Sequence, residues 1–342
     1  MYFRELTNEQ ARQLIDLEQV YETHVRANRE MQSRFAGSMQ WKTVKEQDYL
    51  YRRTKGVSKT IGPRSPETLS IFEAFQSGRE RIEDTIRGTR EKLAAMAPVN
   101  RGLRLGRVPK LTARILRELD EAGLLGRHIR IVGTACLYAY EAAAGVHIPS
   151  SLLATGDVDL LYDARGQLKL AVTDFKAEGV IGLLRRIDRS FQPLSKHGFR
   201  AANRDGFLVD LITPFESKDR TRPRKTSSRL SDADDDLTAI EIDGLAWLRS
   251  CPAFERMTVG EDGLPVPMVC PDPRAFAMHK LWLAEREDRE PLKKPRDRGQ
   301  AQIAIKLVKE RMTYLGEFND PALTAVPAAL LGAIEGIAAT LS

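Results

Sequence analysis

Two aspartates separated by one residue are the part of this chain best suited to chemistry. Asp157 and Asp159 begin an apolar run that ends at Tyr162, and this run predicts a β-strand. Side chains alternate between the two faces of a strand, so both carboxylates should lie on one face. Like charges this close repel each other, and a divalent cation that prefers oxygen ligands, Mg²⁺ or Mn²⁺, would relieve that repulsion. The common alternative for an Asp-x-Asp triplet is a solvated surface or turn.

A third carboxylate, that of Asp210, lies inside another apolar run, residues 207–213. Residues 199–203 and the turn at 204–206 precede it, and together they predict a β-hairpin. A charged side chain between aliphatic neighbours is costly to bury unless it is paired or bound to a metal. The pattern therefore predicts either a third metal ligand or a structural aspartate held by an arginine.

The dipeptide Gly133-Thr134 stands between an apolar run that begins at Ile131 and a predicted helix over residues 135–144. Free N–H groups at the start of a helix bind phosphate, and a glycine lets the main chain approach a ligand closely. We therefore expect Gly133 and Thr134 to contact a phosphate group.

The order of these motifs resembles that of the DNA polymerase β-like nucleotidyltransferase superfamily: Gly-Thr, a helix, Asp-x-Asp on a strand, and a lone aspartate on a later strand. The Gly-Thr-Ala opening and the long interval before Asp157 look most like the abortive-infection toxin-type nucleotidyltransferases. The similarity covers about residues 111–214. The chain departs from the pattern at Thr134, where many members have serine, and in residues 147–154, which form a longer stretch than in compact members.

This resemblance implies an Mg²⁺-dependent (or Mn²⁺-dependent) enzyme that moves an NMP from an NTP to a hydroxyl group and releases pyrophosphate. Asp157 and Asp159 would hold the ion that binds the β- and γ-phosphates. They would share a second ion with Asp210, which could take the acceptor's proton. Lys280, on a predicted helix that begins after Asp272, matches a lysine that approaches the triphosphate in related enzymes. The competing interpretation of Lys280 is a lysine whose stem carries its charge out to water.

The resemblance also implies partners. A tRNA-like RNA is the favoured acceptor, a protein side chain comes next and a small molecule last, and an antitoxin partner belongs to the toxin-type interpretation. A rival interpretation is a catalytically silent nucleotidyltransferase fold that binds RNA or a protein partner. A third, a metal-dependent nuclease, would use clustered carboxylates without needing Gly133-Thr134. The sequence does not identify the NTP or the oligomeric state.

Composition points to a cytoplasmic protein without a membrane span. No apolar run approaches the ~20 residues needed to cross a bilayer, and the first residues lack an apolar signal-peptide core. The three cysteines have no metal-ligand spacing, which fits ordinary thiols in a reducing compartment. The net charge of +6 is compatible with RNA or nucleotide partners.

The predicted fold class is α+β, with a small mixed sheet and packed helices in the middle of the chain. We expect a mainly helical N-terminal region with a small β-hairpin (1–105), a catalytic domain (106–248) and a mainly helical C-terminal domain (249–342). Helices are predicted at 6–38, from Ser65, and at 111–125, 179–191, 272–286 and 301–312, with a linker at 96–108 and a closing helix from Pro321.

Two basic segments carry further hypotheses. The run 218–225 is interpreted as an acceptor-binding arm or as a solvated loop. An aromatic-basic surface for RNA, or only a structural hairpin, is predicted near the N-terminus from Tyr49, Tyr51, Arg52, Arg53, Lys59 and Arg64.

Overall fold

The computed structural model describes residues 3–54, 56–153, 156–163, 173–215, 231, 233–323, 330, 332, 334 and 336. The strands are β1 (Arg4–Glu5), β2 (Ser38–Val44), β3 (Gln47–Thr54), β4 (Val57–Pro63), β5 (Ile129–Val132), β6 (Val146–His147), β7 (Asp157–Tyr162), β8 (Gln192–Pro193), β9 (Arg200–Ala202), β10 (Leu208–Pro214), β11 (Ile240–Ile242), β12 (Ala253–Val259) and β13 (Pro265–Pro271). The helices are α1 (Asn8–Arg34), α2 (Pro66–Gly102), α3 (Lys110–Glu121), α4 (Cys136–Ala144), α5 (Ser150–Leu153), α6 (Thr173–Ile187), α7 (Leu245–Ser250), α8 (Pro273–Glu285) and α9 (Lys294–Arg311).

The chain divides into two compact units. The larger unit comprises Met1–Ala11, Arg104–Asp262 and Val266–Ser342, and the smaller comprises Arg12–Leu103 and Gly263–Pro265. Within the described part of the chain, no helix is both long and apolar enough to cross a bilayer.

The smaller unit contains most of α1, the antiparallel sheet β2-β3-β4 and α2. One face of this sheet packs on the helices through an apolar cluster that includes Phe35, Leu50 and Phe75. The predicted hairpin is thus two strands of a three-stranded sheet. The predicted start of α2 is confirmed: Ser65 and Thr68 form a capping box, and Pro66 occupies the first turn.

The larger unit is built on a mixed sheet in the order β5-β7-β10-β9-β8, with β11 added beside the end of β10. Strand β7 runs parallel to β10, while β5 and β9 run antiparallel to the strands they pair with. Helices such as α3, α4 and α8 contribute buried side chains to the same core. The predicted α+β class is confirmed, as is the predicted hairpin, which is β9–β10.

The register of β7 and β10 brings the three predicted carboxylates to one face of this sheet. Asp210 is the direct partner of Asp159, and Leu208 is the partner of Asp157. Direct partners on neighbouring strands point to the same face, and Asp157 and Asp159 already share a face. Val158 and Leu160, on the opposite face, are buried in the core.

Several element boundaries differ from the sequence prediction. Helix α2 continues to Gly102, so the first half of the predicted linker at 96–108 is helical. Helix α6 covers 173–187 and is interrupted at Gly179, whose φ is +65°, whereas the sequence predicted a helix over 179–191. Helix α9 begins at Lys294, so residues 294–300, which precede the predicted start at 301, form its first turns. The basic run 218–225 lies outside the described residues, as does most of the predicted closing helix.

Candidate active site

The carboxylate face carries an excess of negative charge. Asp210 is buried and Asp159 is half-buried, while Asp157 is exposed. Burial, followed by the neighbouring charges of Asp157 and Asp210, raises the pKa of Asp159 to about 7 against the opposing effect of Lys280 and Arg200. The raised pKa of Asp159 therefore indicates that the three carboxylates repel one another.

Arg200, on the neighbouring strand β9, holds Asp210 in a two-point ion pair. Its Nε and Nη2 atoms donate to Oδ1 and Oδ2 of Asp210 at 2.6 Å and 2.5 Å. The hydrogen bonds to Asp210 raise the pKa of Arg200, and the charges of Asp159 and Asp157 raise it further. The predicted contact between Asp210 and an arginine is therefore present. The hairpin offered the signal, since a turn centred at residue 205 places positions 200 and 210 opposite each other.

Gly133 touches the carboxylate face with its main chain. It has a φ of +71°, and a Cβ added there would lie 2.3 Å from Oδ2 of Asp159. Val132, just before it, is the strand partner of Asp159, which brings the end of β5 to this carboxylate. Glycine is required here for two reasons: the left-handed backbone conformation and the absence of space for a side chain.

Thr134 follows in a 3-10 turn (Gly133–Ala135) that leads into α4. Its Oγ1 accepts a hydrogen bond from Nε2 of Gln300 at 3.0 Å, and the same nitrogen donates to the carbonyl of Leu152 at 2.8 Å. An accepting hydroxyl retains its own proton, so Thr134 can still donate to a phosphate oxygen. Gln300 is fully buried, and its Oε1 has no partner among the described residues. Nothing in the sequence distinguished Gln300, one of two glutamines in α9.

Lys280 is buried, so its interpretation as a surface lysine is wrong. Its Nζ lies 3.0 Å from Oδ1 of Asp297, and Nε of Arg289 lies 2.7 Å from the other carboxylate oxygen. Lys280 is 5% exposed and Asp297 2%. Burial lowers the pKa of Lys280, whereas the charges of Asp297 and then Asp159 act to raise it. Lys280 therefore acts electrostatically on the carboxylate face, and its contact with a triphosphate stays a prediction.

The donor atoms on this face suit a hard divalent cation, although they are not arranged around one. Within the described ranges, no group of three or more His, Cys, Asp or Glu side chains is positioned to hold a metal ion. The chemistry nevertheless fits, because all three side chains supply carboxylate oxygens. A cation would also relieve the repulsion from Asp157 and Asp210, which, after burial, raises the pKa of Asp159. Arg200 uses one lone pair on each oxygen of Asp210, and a carboxylate has about four such positions.

The predicted residues thus fall into two groups. Asp157, Asp159, Asp210 and Gly133 meet on one face of the sheet, whereas Thr134 and Lys280 are engaged by α9 through Gln300 and Asp297.

Comparison with known proteins identifies the family of this chain. A family model described as nucleotidyltransferase matches residues 110–324, well over half of the 342-residue chain. No curated protein and no solved structure matches the chain. The matched region contains all six predicted site residues. The chain therefore belongs to this nucleotidyltransferase family and is a nucleotidyltransferase enzyme.

Proposed function

We propose that this enzyme transfers an NMP from an NTP to a hydroxyl acceptor with the help of Mg²⁺ bound by Asp157, Asp159 and Asp210. The observation that carries this proposal is the register of β7 and β10, which sets Asp210 beside Asp159 on the face that also bears Asp157. The close packing of the Gly133 main chain on Asp159 supports a phosphate-binding role for this turn, since it lies beside the same carboxylates.

Each residue has a defined task in this scheme. When bound, Mg²⁺ supplies Lewis-acid stabilisation of the phosphates and lowers the pKa of the attacking hydroxyl. Asp210 accepts the proton of that hydroxyl. The main-chain N–H of Gly133 and the hydroxyl of Thr134 donate to phosphate oxygens, and the buried charge of Lys280 offsets negative charge that builds up during transfer.

We further propose RNA, with tRNA-like ends favoured, as the acceptor, and a protein side chain as the second choice. The chain carries a net charge of +6, which favours a polyanionic partner. The likeness to toxin-type members extends the proposal to a toxin-antitoxin role with a neutralising protein partner in the cytoplasm.

One observation favours a second candidate, a nucleotidyltransferase fold that binds RNA or a protein without chemistry. The Arg200–Asp210 pair already neutralises one of the three carboxylates, as a purely structural aspartate would require. The intact Asp157 and Asp159, and the family to which the chain belongs, favour the enzyme.

Two differently labelled NTPs distinguish the candidates. The protein is incubated with Mg²⁺, total cellular RNA and each NTP carrying radioactive phosphorus at either the α or the γ position. Nucleotidyl transfer moves α-label, and not γ-label, into RNA and releases γ-label as pyrophosphate. Asp157→Ala/Asp159→Ala protein should transfer nothing. Asp205→Ala changes an exposed carboxylate in the turn of the same β9–β10 hairpin and should retain activity.

Transfer of γ-label to RNA would contradict the proposal, because it marks a kinase. The absence of label transfer and of pyrophosphate with every NTP, on both RNA and protein acceptors, would favour the silent fold.

A further inference from the structure

The sheet of the smaller unit has one covered face and one open face. On the covered face, Leu50 and Met39 are buried. Arg52, beside Leu50 on the covered face, lies over the ring of Phe75 at 4.2 Å. Positions that alternate with these point the other way. We call this second side the open face, and define it by Gln40, Lys42, Tyr49, Tyr51, Arg53 and Thr60. The two tyrosines are half-buried, and the other four side chains are exposed.

Strand register divides the aromatic-basic group that the sequence suggested. Tyr49, Tyr51 and Arg53 belong to the open face. Arg52 and Lys59 are strand partners on the other face. Arg64, the remaining member, pairs with Asp48 at 3.0 Å and lies 5.4 Å from the ring centre of Trp41.

The open face is free of acidic side chains along β2 and β3, both of which the structure describes throughout. Its outward positions in these strands carry two cations, Lys42 and Arg53, and no Asp or Glu. Asp48, the one acidic residue in the two strands, belongs to the opposite face and is engaged by Thr43 and Arg64. The outward positions of β2 and β3 therefore carry a net positive charge.

The two tyrosines form a stacking surface beside these charges. Tyr49 and Tyr51 are two residues apart on β3, so their rings are roughly 7 Å apart along the strand. Lys42 is the strand partner of Tyr49, and its Nζ lies 5.3 Å from the ring centre of Tyr51. Aromatic rings that alternate with cations fit a chain of flat rings joined by phosphates.

We propose that the open face binds single-stranded RNA, with bases stacked on Tyr49 and Tyr51 and phosphates paired with Lys42 and Arg53. A base in a duplex is already stacked and cannot lie on a tyrosine ring, so the geometry selects single strands. Neutral groups such as Gln40 and Thr60 are exposed on the same face and can both donate to and accept from a ribose 2′-hydroxyl, which DNA lacks. The role of this surface in presenting an acceptor rests on the proposed function, whereas RNA binding itself does not.

Fluorescence anisotropy of the full chain with a fluorescein-labelled 12-nucleotide RNA of mixed sequence tests the proposal without NTP or Mg²⁺. Loss of one stacking ring should weaken binding about fivefold or more, so Tyr49→Ala/Tyr51→Ala should weaken it by about 25-fold or more. Tyr49→Phe/Tyr51→Phe keeps the rings and should bind within about twofold of the wild type. Tyr314→Ala, which removes a tyrosine that is 69% exposed in the larger unit, is the matched control and should change nothing.

Salt dependence tests the phosphate contacts separately. Lys42→Ala/Arg53→Ala should reduce the slope of log K against log salt by about 1.4, since each phosphate contact to a single strand contributes about 0.7. Equal affinity for the double-stranded form, or for DNA of the same sequence, would overturn the assignment to single-stranded RNA. An affinity for RNA in Tyr49→Ala/Tyr51→Ala equal to that of the wild type would overturn the site. The absence of RNA binding by the wild type at every salt concentration would also overturn it and would favour a protein ligand for the open face.

The two proposals fail in different ways. Tight RNA binding that depends on the tyrosines, with no transfer of α-label, would retain the surface and reject the catalytic proposal. If the tyrosine variants transfer α-label and bind RNA as the wild type does, the catalytic proposal is retained and the RNA-binding surface is rejected.

Discussion

Replacing Gly133 with alanine tests whether the enzyme's activity requires the close contact between the Gly133 main chain and Asp159. The added Cβ would lie 2.3 Å from Oδ2 of Asp159, whereas ordinary contact begins at 3.4 Å, so one group must move by roughly 1 Å. A misplacement of about 1 Å at a reacting centre can lower the rate by about 100-fold. The φ of +71° adds about 1–2 kcal/mol of backbone strain for an L-residue.

Gly145→Ala provides a matched control for the strain. Gly145 ends α4 with a φ of +65°, and a Cβ there would meet nothing within 4 Å. Both variants should therefore lose about 1–2 kcal/mol of unfolding free energy, measured by urea denaturation. Only Gly133→Ala should also lose activity, by about 100-fold in kcat/KM for pyrophosphate release. Equal activity in the two variants would refute the claim that Gly133 positions Asp159.

Three further outcomes follow from the charges of the larger unit. Asp297→Asn should lower the unfolding free energy by about 3–5 kcal/mol because it leaves the buried charge of Lys280 without its partner, and adding Lys280→Met should recover part of that loss in urea denaturation. Arg200→Gln removes a cation beside three carboxylates. Replacing EDTA with Mg²⁺ should therefore raise the melting temperature more in this variant than in the wild type. An equal rise in the two proteins would contradict cation binding on this face. Burial lowers the pKa of His279 to about 3, so the wild type should lose up to about 1.4 kcal/mol of unfolding free energy per pH unit as the pH falls from 6.5 towards 3. His279→Phe should flatten this pH dependence of stability. An unchanged slope in the variant would contradict the prediction.

The sign of the His279 prediction follows from which state binds the proton. Between pH 6.5 and pH 3 the unfolded chain protonates this imidazole while the folded chain keeps it neutral. Acid therefore favours the unfolded state across this window, and the contribution is fully retained above the unfolded pKa.

Local patterns predicted the elements that carry the chemistry. The alternation of polar and apolar residues that begins at Asp157 predicted a strand that ends at Tyr162, and β7 has these ends. A period of two residues is typical of a strand whose first residues are exposed on one face. Asp272 and Pro273 likewise marked the start of α8, since an N-cap and a proline in the first turn act through local hydrogen bonds.

Contacts between distant elements were beyond local patterns. The register that sets Asp210 beside Asp159 joins parallel strands about 50 residues apart, and no turn connects them directly. The same applies to the contacts of Gln300 and Asp297, which depend on how α9 packs. The earlier start of α9 does have a local signal, because Pro295 lies in its first turn.

Metal binding measured by electron paramagnetic resonance tests the central claim most directly, because it does not require the acceptor. Mn²⁺ is titrated into the protein with an NTP analogue whose α–β bridging oxygen is replaced by a methylene group. The wild type and Asp205→Ala should bind Mn²⁺ in a nucleotide-dependent manner, and Asp159→Asn should lose this binding. Mn²⁺ binding by Asp159→Asn equal to that of the wild type, or no nucleotide-dependent binding by the wild type, would contradict a metal site at Asp157, Asp159 and Asp210.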